Sequence, residues 1–265
     1  MRDLNITMSR ISKIFENKDH KILSVYCTAG YPDLASTLPV MKALQDAGAD
    51  MIELGMPYSD PLADGPVIQE SSVKALANGM GMSVLFRQLK DFRKEISIPV
   101  LLMGYMNPVL QYGFDNFCAD ARAVGVDGII LPDLPLYEYE SQYRETVRAN
   151  ELDFVFLVTP ETSGERVRRL DDVSSGFIYA VSSSSTTGRN KNISDQSDYF
   201  RKLREMKLKN PVLVGFGIRD RQTFQSACKY ADGAIIGTAF IQTLKNGSDI
   251  HGATSRFLKS IMEGE

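Results

Sequence analysis

Gly125-Val126-Asp127-Gly128-Ile129-Ile130-Leu131 compresses a helix stop, a tight turn and a short apolar run into one stretch of chain. Glycine supplies the backbone freedom that ends a helix, and aspartate is a short-range acceptor for the turn. Just upstream, Phe117, Ala121 and Val124 recur at the spacing of one helical face. The same unit stands at Gly48-Ala49-Asp50, behind Val40, Ala43, Leu44 and Ala47, and a similar strand entry stands at Ala231-Asp232-Gly233. Helices that turn tightly into apolar runs are the pattern of a parallel α/β sheet.

Outward from these turns, eight β-rich runs can be read: 22–28, 51–55, 100–104, 128–131, 154–159, 177–182, 212–215 and 233–236. Several lack strict alternation, as in Val100-Leu101-Leu102-Met103 and Val155-Phe156-Leu157-Val158, which is what strands covered on both faces require. Eight runs roughly 30 residues apart, joined by helices, predict a single-domain (β/α)8 TIM barrel over residues 1–265. The competing architecture is an open doubly wound sheet; its dinucleotide-binding form lacks support, because no Gly-x-Gly-x-x-Gly turn follows the first run. The long interval after the second run predicts a loop at 56–66, an extra helical piece around 68–77 and the expected helix around 84–93. A further short helix is expected after the eighth run. Met8, Ile11, Ile14 and Phe15 predict an additional N-terminal helix that covers the bottom of the barrel.

A chain of 265 residues buries enough surface to need no metal or disulfide. A net charge of -3 without blocks of one sign argues against nucleic acid or a membrane surface as partner. Cys27, Cys118 and Cys228 are widely separated and read as reduced thiols, and His20 and His251 are too few for a zinc site, so no metal is expected. The first residues lack an apolar secretory core and no long apolar run follows, so the expected location is cytoplasmic.

In a barrel the chemistry gathers at the C-terminal ends of the strands. There lies Glu53-Leu54-Gly55-Met56-Pro57-Tyr58-Ser59-Asp60-Pro61-Leu62-Ala63-Asp64-Gly65-Pro66, three carboxylates in a stiff, Gly/Pro-punctuated segment. Glu53 sits within an apolar strand and points into the upper barrel, where burial raises a carboxyl pKa and keeps a proton available for donation. The alternative role is a structural carboxylate capping backbone N–H groups. Asp64 is placed by a rigid loop, as electrostatic stabilisation requires; its alternative is an Asx-turn or a helix N-cap before Pro66. Asp60 fits a turn. On the other side of the mouth, Phe216-Gly217 and Gly237-Thr238 follow the seventh and eighth runs, the usual phosphate seat of barrels, and Gly188 in the Ser/Thr-rich run 182–190 adds donors from a candidate lid. Tyr26, Tyr105 and Tyr179 offer walls for a flat apolar ligand, or pack as ordinary buried tyrosines.

The run from Glu53 to Gln69, with Tyr105-Met106-Asn107-Pro108, Pro132-Asp133-Leu134-Pro135, Gly215-Phe216-Gly217-Ile218 and Gly237-Thr238, closely resembles the α subunits of tryptophan synthase over almost the whole chain. The resemblance implies a lyase that cleaves indole-3-glycerol phosphate to indole and glyceraldehyde 3-phosphate. It implies Glu53 as general acid, Asp64 as acceptor for the indole N–H, and Tyr179 close to the glutamate. Tyr26 and Tyr105 match aromatic pocket positions, and Thr187 matches a lid threonine that engages Asp64. By the same resemblance, phosphate is held near Gly188, Gly217, Gly237 and Thr238 beside Phe216. No cofactor is implied in this subunit; pyridoxal phosphate belongs to a partner β subunit in an αββα complex, toward which Pro57 and Asp60 lie. The chain departs from the family pattern at Ser183-Ser184-Ser185, where Arg-x-Gly is common, at Thr238 in place of a frequent Ser, at Tyr26 in place of a frequent Phe, and in carrying one acidic residue, Glu138, after Pro135. Rival readings are a free lyase working without a β subunit, a binding or allosteric module, and a Schiff-base aldolase, for which no strand end supplies a lysine.

Overall fold

The computed structural model describes residues 8–16, 19–182, 197–246 and 249–263. Its strands are β1 (Ile22–Thr28), β2 (Met51–Gly55), β3 (Val100–Met103), β4 (Gly128–Ile130), β5 (Asp153–Val155), β6 (Leu157–Val158), β7 (Ile178–Val181), β8 (Val212–Gly215) and β9 (Gly233–Ile236). All pair in parallel, in the order β5-β4-β3-β2-β1-β9-β8-β7-β6. The run expected as one fifth strand is broken at Phe156 into β5 and β6, so nine segments occupy eight barrel positions. The break coincides with an aromatic cluster: Phe156 packs 4.9 Å from Phe154 and 5.1 Å, edge-on, from Tyr139. β5 pairs with β4 and β6 with β7, and this position closes the (β/α)8 barrel.

The αβ turns do more than stop helices. Asp50 donates its backbone N–H to Leu23 O and accepts the Leu23 N–H on its carboxylate, at 2.9 and 2.8 Å. Asp127 makes the same reciprocal pair with Val100, and Asp232 with Val212. The aspartates therefore act across strands rather than at short range, pinning the second residue of β1 and the first residues of β3 and β8 at the barrel floor. Gly125 ends its helix in the left-handed region at φ 95°, which L side chains rarely adopt.

Helix Arg10–Glu16 covers that floor as expected. Ile11 is fully buried, its side chain lies against Gly176, and the Phe15 ring stands 6.4 Å from Phe177. Arg10 reaches Asp127 at 2.8 Å, and Arg93 bonds the same carboxylate. The core runs continuously from the barrel interior to the helix–sheet layer, where Phe92, Phe117, Phe177, Phe200 and Phe240 are buried. After β2 come the extra helix Pro66–Ala77 and the helix Met82–Leu89; after β9 comes the short helix Thr238–Thr243. Among the described residues no helix is long and apolar enough to cross a membrane, and no group of three or more His, Cys, Asp or Glu residues could hold a metal ion.

Candidate active site

Glu53 lies on β2 opposite Tyr26 of β1, on the same sheet face as Ser24 and Gly55. That face is the barrel interior, and the carboxyl is wholly buried. One oxygen, Oε1, accepts the Ser24 hydroxyl at 3.1 Å; the other, Oε2, is buried with no hydrogen-bond partner among the described residues. Burial pushes the carboxyl from its ordinary 4.5 up to about 8, against the Ser24 hydrogen bond, which lowers it. Glu53 therefore carries its proton at neutral pH. Its proposed alternative, capping backbone N–H groups, has no counterpart among its described bonds.

Asp64 is held from two sides. Its backbone N–H donates to Pro61 O at 3.0 Å, and its carbonyl accepts the Gln69 side-chain amide at 2.9 Å. The helix that follows is N-capped by Gly65 without a side-chain bond, so Asp64 does not serve as the cap. The Tyr105 hydroxyl accepts the Ala63 N–H at 3.1 Å and hydrogen-bonds the Asp64 carboxylate. Burial raises Asp64 from 3.8 to about 6, with the Tyr105 bond opposing, so this carboxyl is ionised at neutral pH. Two carboxyls at one mouth thus stand in opposite protonation states, the arrangement that separates an acid from a charge.

Tyrosines wall the space between them. Tyr26 lies over Gly55: a Cβ there would come within 2.1 Å of the phenol oxygen. Tyr105 stacks 5.5 Å from Tyr58, whose hydroxyl accepts the Asn107 amide at 3.2 Å, tying the loop after β2 to the one after β3. A small cavity of about 10 Å³, room for about one water molecule, is bounded by Tyr26, Tyr58, Asp64, Met103 and Tyr105. Tyr179 reaches the same mouth from β7; its phenol is raised well above 10.0 by burial, then by Glu53 and Asp64. The Phe216 ring stands 6.0 Å from Tyr179.

Phe216 and Gly217 both adopt positive φ, 66° and 73°. A phenylalanine in that region is strained, and such strain concentrates at ligand sites. The turn is held by Ser182, whose hydroxyl donates to Phe216 O at 2.9 Å. Gly237 begins helix Thr238–Thr243, whose first N–H groups have no partner within the helix. Gly217 and Thr238 are exposed at the mouth. Thr187 and Gly188, with Ser183-Ser184-Ser185, lie outside the described residues. Asp60 is exposed and accepts its neighbour Ser59, in keeping with a turn role, and Pro57 lines an open groove with Tyr58, Met82, Asn107 and Tyr112. Ser24, Gln69 and the strained Phe216 turn were not singled out for these roles in the sequence. Ser24 has a signal in hindsight, a small hydroxyl within the otherwise apolar run Ile22-Leu23-Ser24-Val25.

Comparison with known proteins converges on one family. The family model for the tryptophan synthase alpha chain matches residues 13–263. A tryptophan synthase alpha chain of Parabacteroides distasonis is 48% identical over 257 residues, covering 97% of this chain and 100% of that one. One from Flavobacterium psychrophilum is 50% identical over 256 residues, covering 96% and 100%. Among solved structures, tryptophan synthase subunit alpha from Legionella pneumophila superposes with a TM-score of 0.88 at 34% identity, covering 97% of this chain and 98% of that one. A chain of tryptophan synthase from M. tuberculosis in its aminoacrylate-bound form gives 0.83 at 31% identity, covering 96% and 100%.

Proposed function

The chain belongs to the tryptophan synthase alpha chain family, and we propose that within that family's reaction Glu53 is its proton carrier and Asp64 its charge stabiliser. It is a carbon–carbon lyase that cleaves indole-3-glycerol phosphate to indole and glyceraldehyde 3-phosphate. The observation that carries the assignment of roles is the split of the two carboxyls, Glu53 at about 8 and Asp64 at about 6.

Protonated Glu53 delivers its proton to indole C3, which places positive charge on the ring and its nitrogen. Ionised Asp64 accepts the indole N–H and stabilises that charge in a water-poor site. The Glu53 carboxylate then takes the proton of the hydroxyl on the adjoining side-chain carbon. As the C–C bond breaks, its electron pair returns to the ring, the hydroxyl carbon becomes the aldehyde, and Glu53 ends protonated as it began. Tyr26, Tyr105 and Tyr58 supply the apolar walls for the ring, with Tyr179 beside the acid. The N–H groups around Gly217 and Gly237–Thr238, with those of Gly188, bind the phosphate next to Phe216.

The chain works with a tryptophan synthase β subunit. The αββα stoichiometry, and docking through the face that carries Pro57 and Asp60, are part of the same proposal. Its support is the open groove beside Pro57 and the neighbouring Leu62, an apolar side chain that is 93% exposed. The test is indole formation from indole-3-glycerol phosphate by the purified chain, with and without the β subunit. Product is expected in both cases and faster with the partner. No product in either contradicts the reading, and full speed without the partner favours the free lyase.

A further inference from the structure

We propose that Ser24 is a positioning residue for Glu53: its hydroxyl holds Oε1 and reserves Oε2 as the oxygen that carries the reacting proton. The inference rests on Glu53 being the acid. Ser24 is fully buried on β1 and sits opposite Met51, two residues nearer the barrel floor than Glu53. It therefore approaches the carboxyl from below, at 3.1 Å from Oε1, and leaves Oε2 buried without a partner among the described residues. In a neutral carboxyl the carbonyl oxygen is the better acceptor, so a donor fixed on Oε1 places the proton on Oε2. Once that proton has left, the same hydroxyl donates to a carboxylate, and hydrogen bonds to charged acceptors are the stronger ones. The bond thus gains strength as Glu53 becomes charged, which is when it accelerates the reaction.

The titratable groups described as interacting with Glu53 are the Cys27 thiol on β1 and the Tyr179 phenol from β7. Cys27 is pushed up to about 12 and Tyr179 well above 10.0, each chiefly by burial. Asp64, on the loop after β2, bears on Tyr179 and Tyr26 at the same mouth. Neither the thiol nor the phenol titrates where Glu53 does, so a change at Ser24 is legible in the alkaline limb of the rate profile.

The experiment is the pH dependence of kcat and kcat/KM for the chain assembled with its β subunit, as wild type, Ser24→Ala and Ser24→Cys. Loss of the hydroxyl is expected to move the alkaline limb of Ser24→Ala up by about one pH unit, the scale of one hydrogen bond to a charged group. A roughly tenfold loss of kcat at neutral pH is expected with KM within about twofold. Ser24→Cys, a weaker donor of similar size, is expected between the two. An unmoved alkaline limb in Ser24→Ala overturns the inference. If that variant does not fold, infrared titration of the Glu53 carboxyl in Ser24→Cys decides: a raised midpoint supports the role and an unchanged one overturns it. Glu53→Gln in parallel separates the two claims. Loss of turnover there with an unmoved limb in Ser24→Ala removes only the Ser24 role, whereas near-native turnover in Glu53→Gln removes the acid itself.

Discussion

The Tyr179 ring lies over Gly215 on the neighbouring strand so closely that a Cβ on the glycine would come within 2.2 Å of the phenol oxygen and 2.3 Å of a ring carbon. Tyr26 and Gly55 repeat the relation between β1 and β2. In each pair the tyrosine lies two residues before the glycine's own register partner and leans toward the mouth. Both glycines are strand residues whose missing side chain is the space that an active-site tyrosine fills. A rigid ring cannot yield locally to an added methyl group. Gly215→Ala is therefore expected to displace Tyr179 from Glu53, lower stability by about 1–3 kcal/mol and reduce kcat. Thermal unfolding and indole formation measure the two effects; a native melting temperature with native kcat would show that the ring has other room.

The two raised carboxyls set the pH profile. Asp64 must be ionised, so kcat/KM falls as pH drops through about 6; Glu53 must be protonated, so it falls again as pH rises through about 8. A bell between those limbs is expected for the wild type, and a profile flat through pH 9 would contradict it.

The same shift has a stability signature. The folded state holds the Glu53 proton more tightly than the unfolded one, so its contribution is fully present below 4.5 and is lost as pH rises toward about 8. Glu53→Gln removes this loss. The stability difference between variant and wild type should grow in the variant's favour from pH 5 to pH 8, as measured by denaturant unfolding. A difference independent of pH would mean that Glu53 is not desolvated.

At the phosphate side, Gly237 provides the clean probe. A Cβ there would meet only ordinary contacts, the nearest 3.5 Å away on Tyr26, so the protein itself does not require the glycine. Gly237→Ala is expected to fold normally and to bind glycerol phosphate about tenfold more weakly, because the methyl group hinders close approach of the ligand to the backbone. Calorimetric titration checks this, and an unchanged Kd counts against the seat.

Tyr105 holds both Ala63 and Asp64. Tyr105→Phe leaves the Ala63 N–H without its acceptor and removes a bond that lowers the Asp64 pKa. The acid limb should move upward by up to about one pH unit and KM should rise. An acid limb that stays in place would dissociate the hydroxyl from Asp64.

Much of this was legible in the chain because it is written in local chemistry. The turn residues around Asp50, Asp127 and Asp232 announced the strands, and an acid inside the apolar segment Met51-Ile52-Glu53-Leu54 could only face the barrel interior. What stayed hidden depends on register between distant strands. The reach of Asp127 to Val100, the fit of Tyr179 over Gly215 and the bond from Ser24 to Glu53 exist only once parallel neighbours are aligned. The break at Phe156 was equally invisible, since it coincides with ring packing against Tyr139. Positive φ at Phe216 has no sequence marker, because the residue there is one that the left-handed region disfavours.

The central claim is that Glu53 supplies the proton. Single-turnover cleavage of indole-3-glycerol phosphate by Glu53→Gln, measured beside its equilibrium substrate affinity, tests this most directly. The expected result is a rate loss of about 10²–10⁴-fold, the scale of general acid–base catalysis, with a Kd within a few fold of wild type. A near-native rate with intact binding would contradict the role of Glu53.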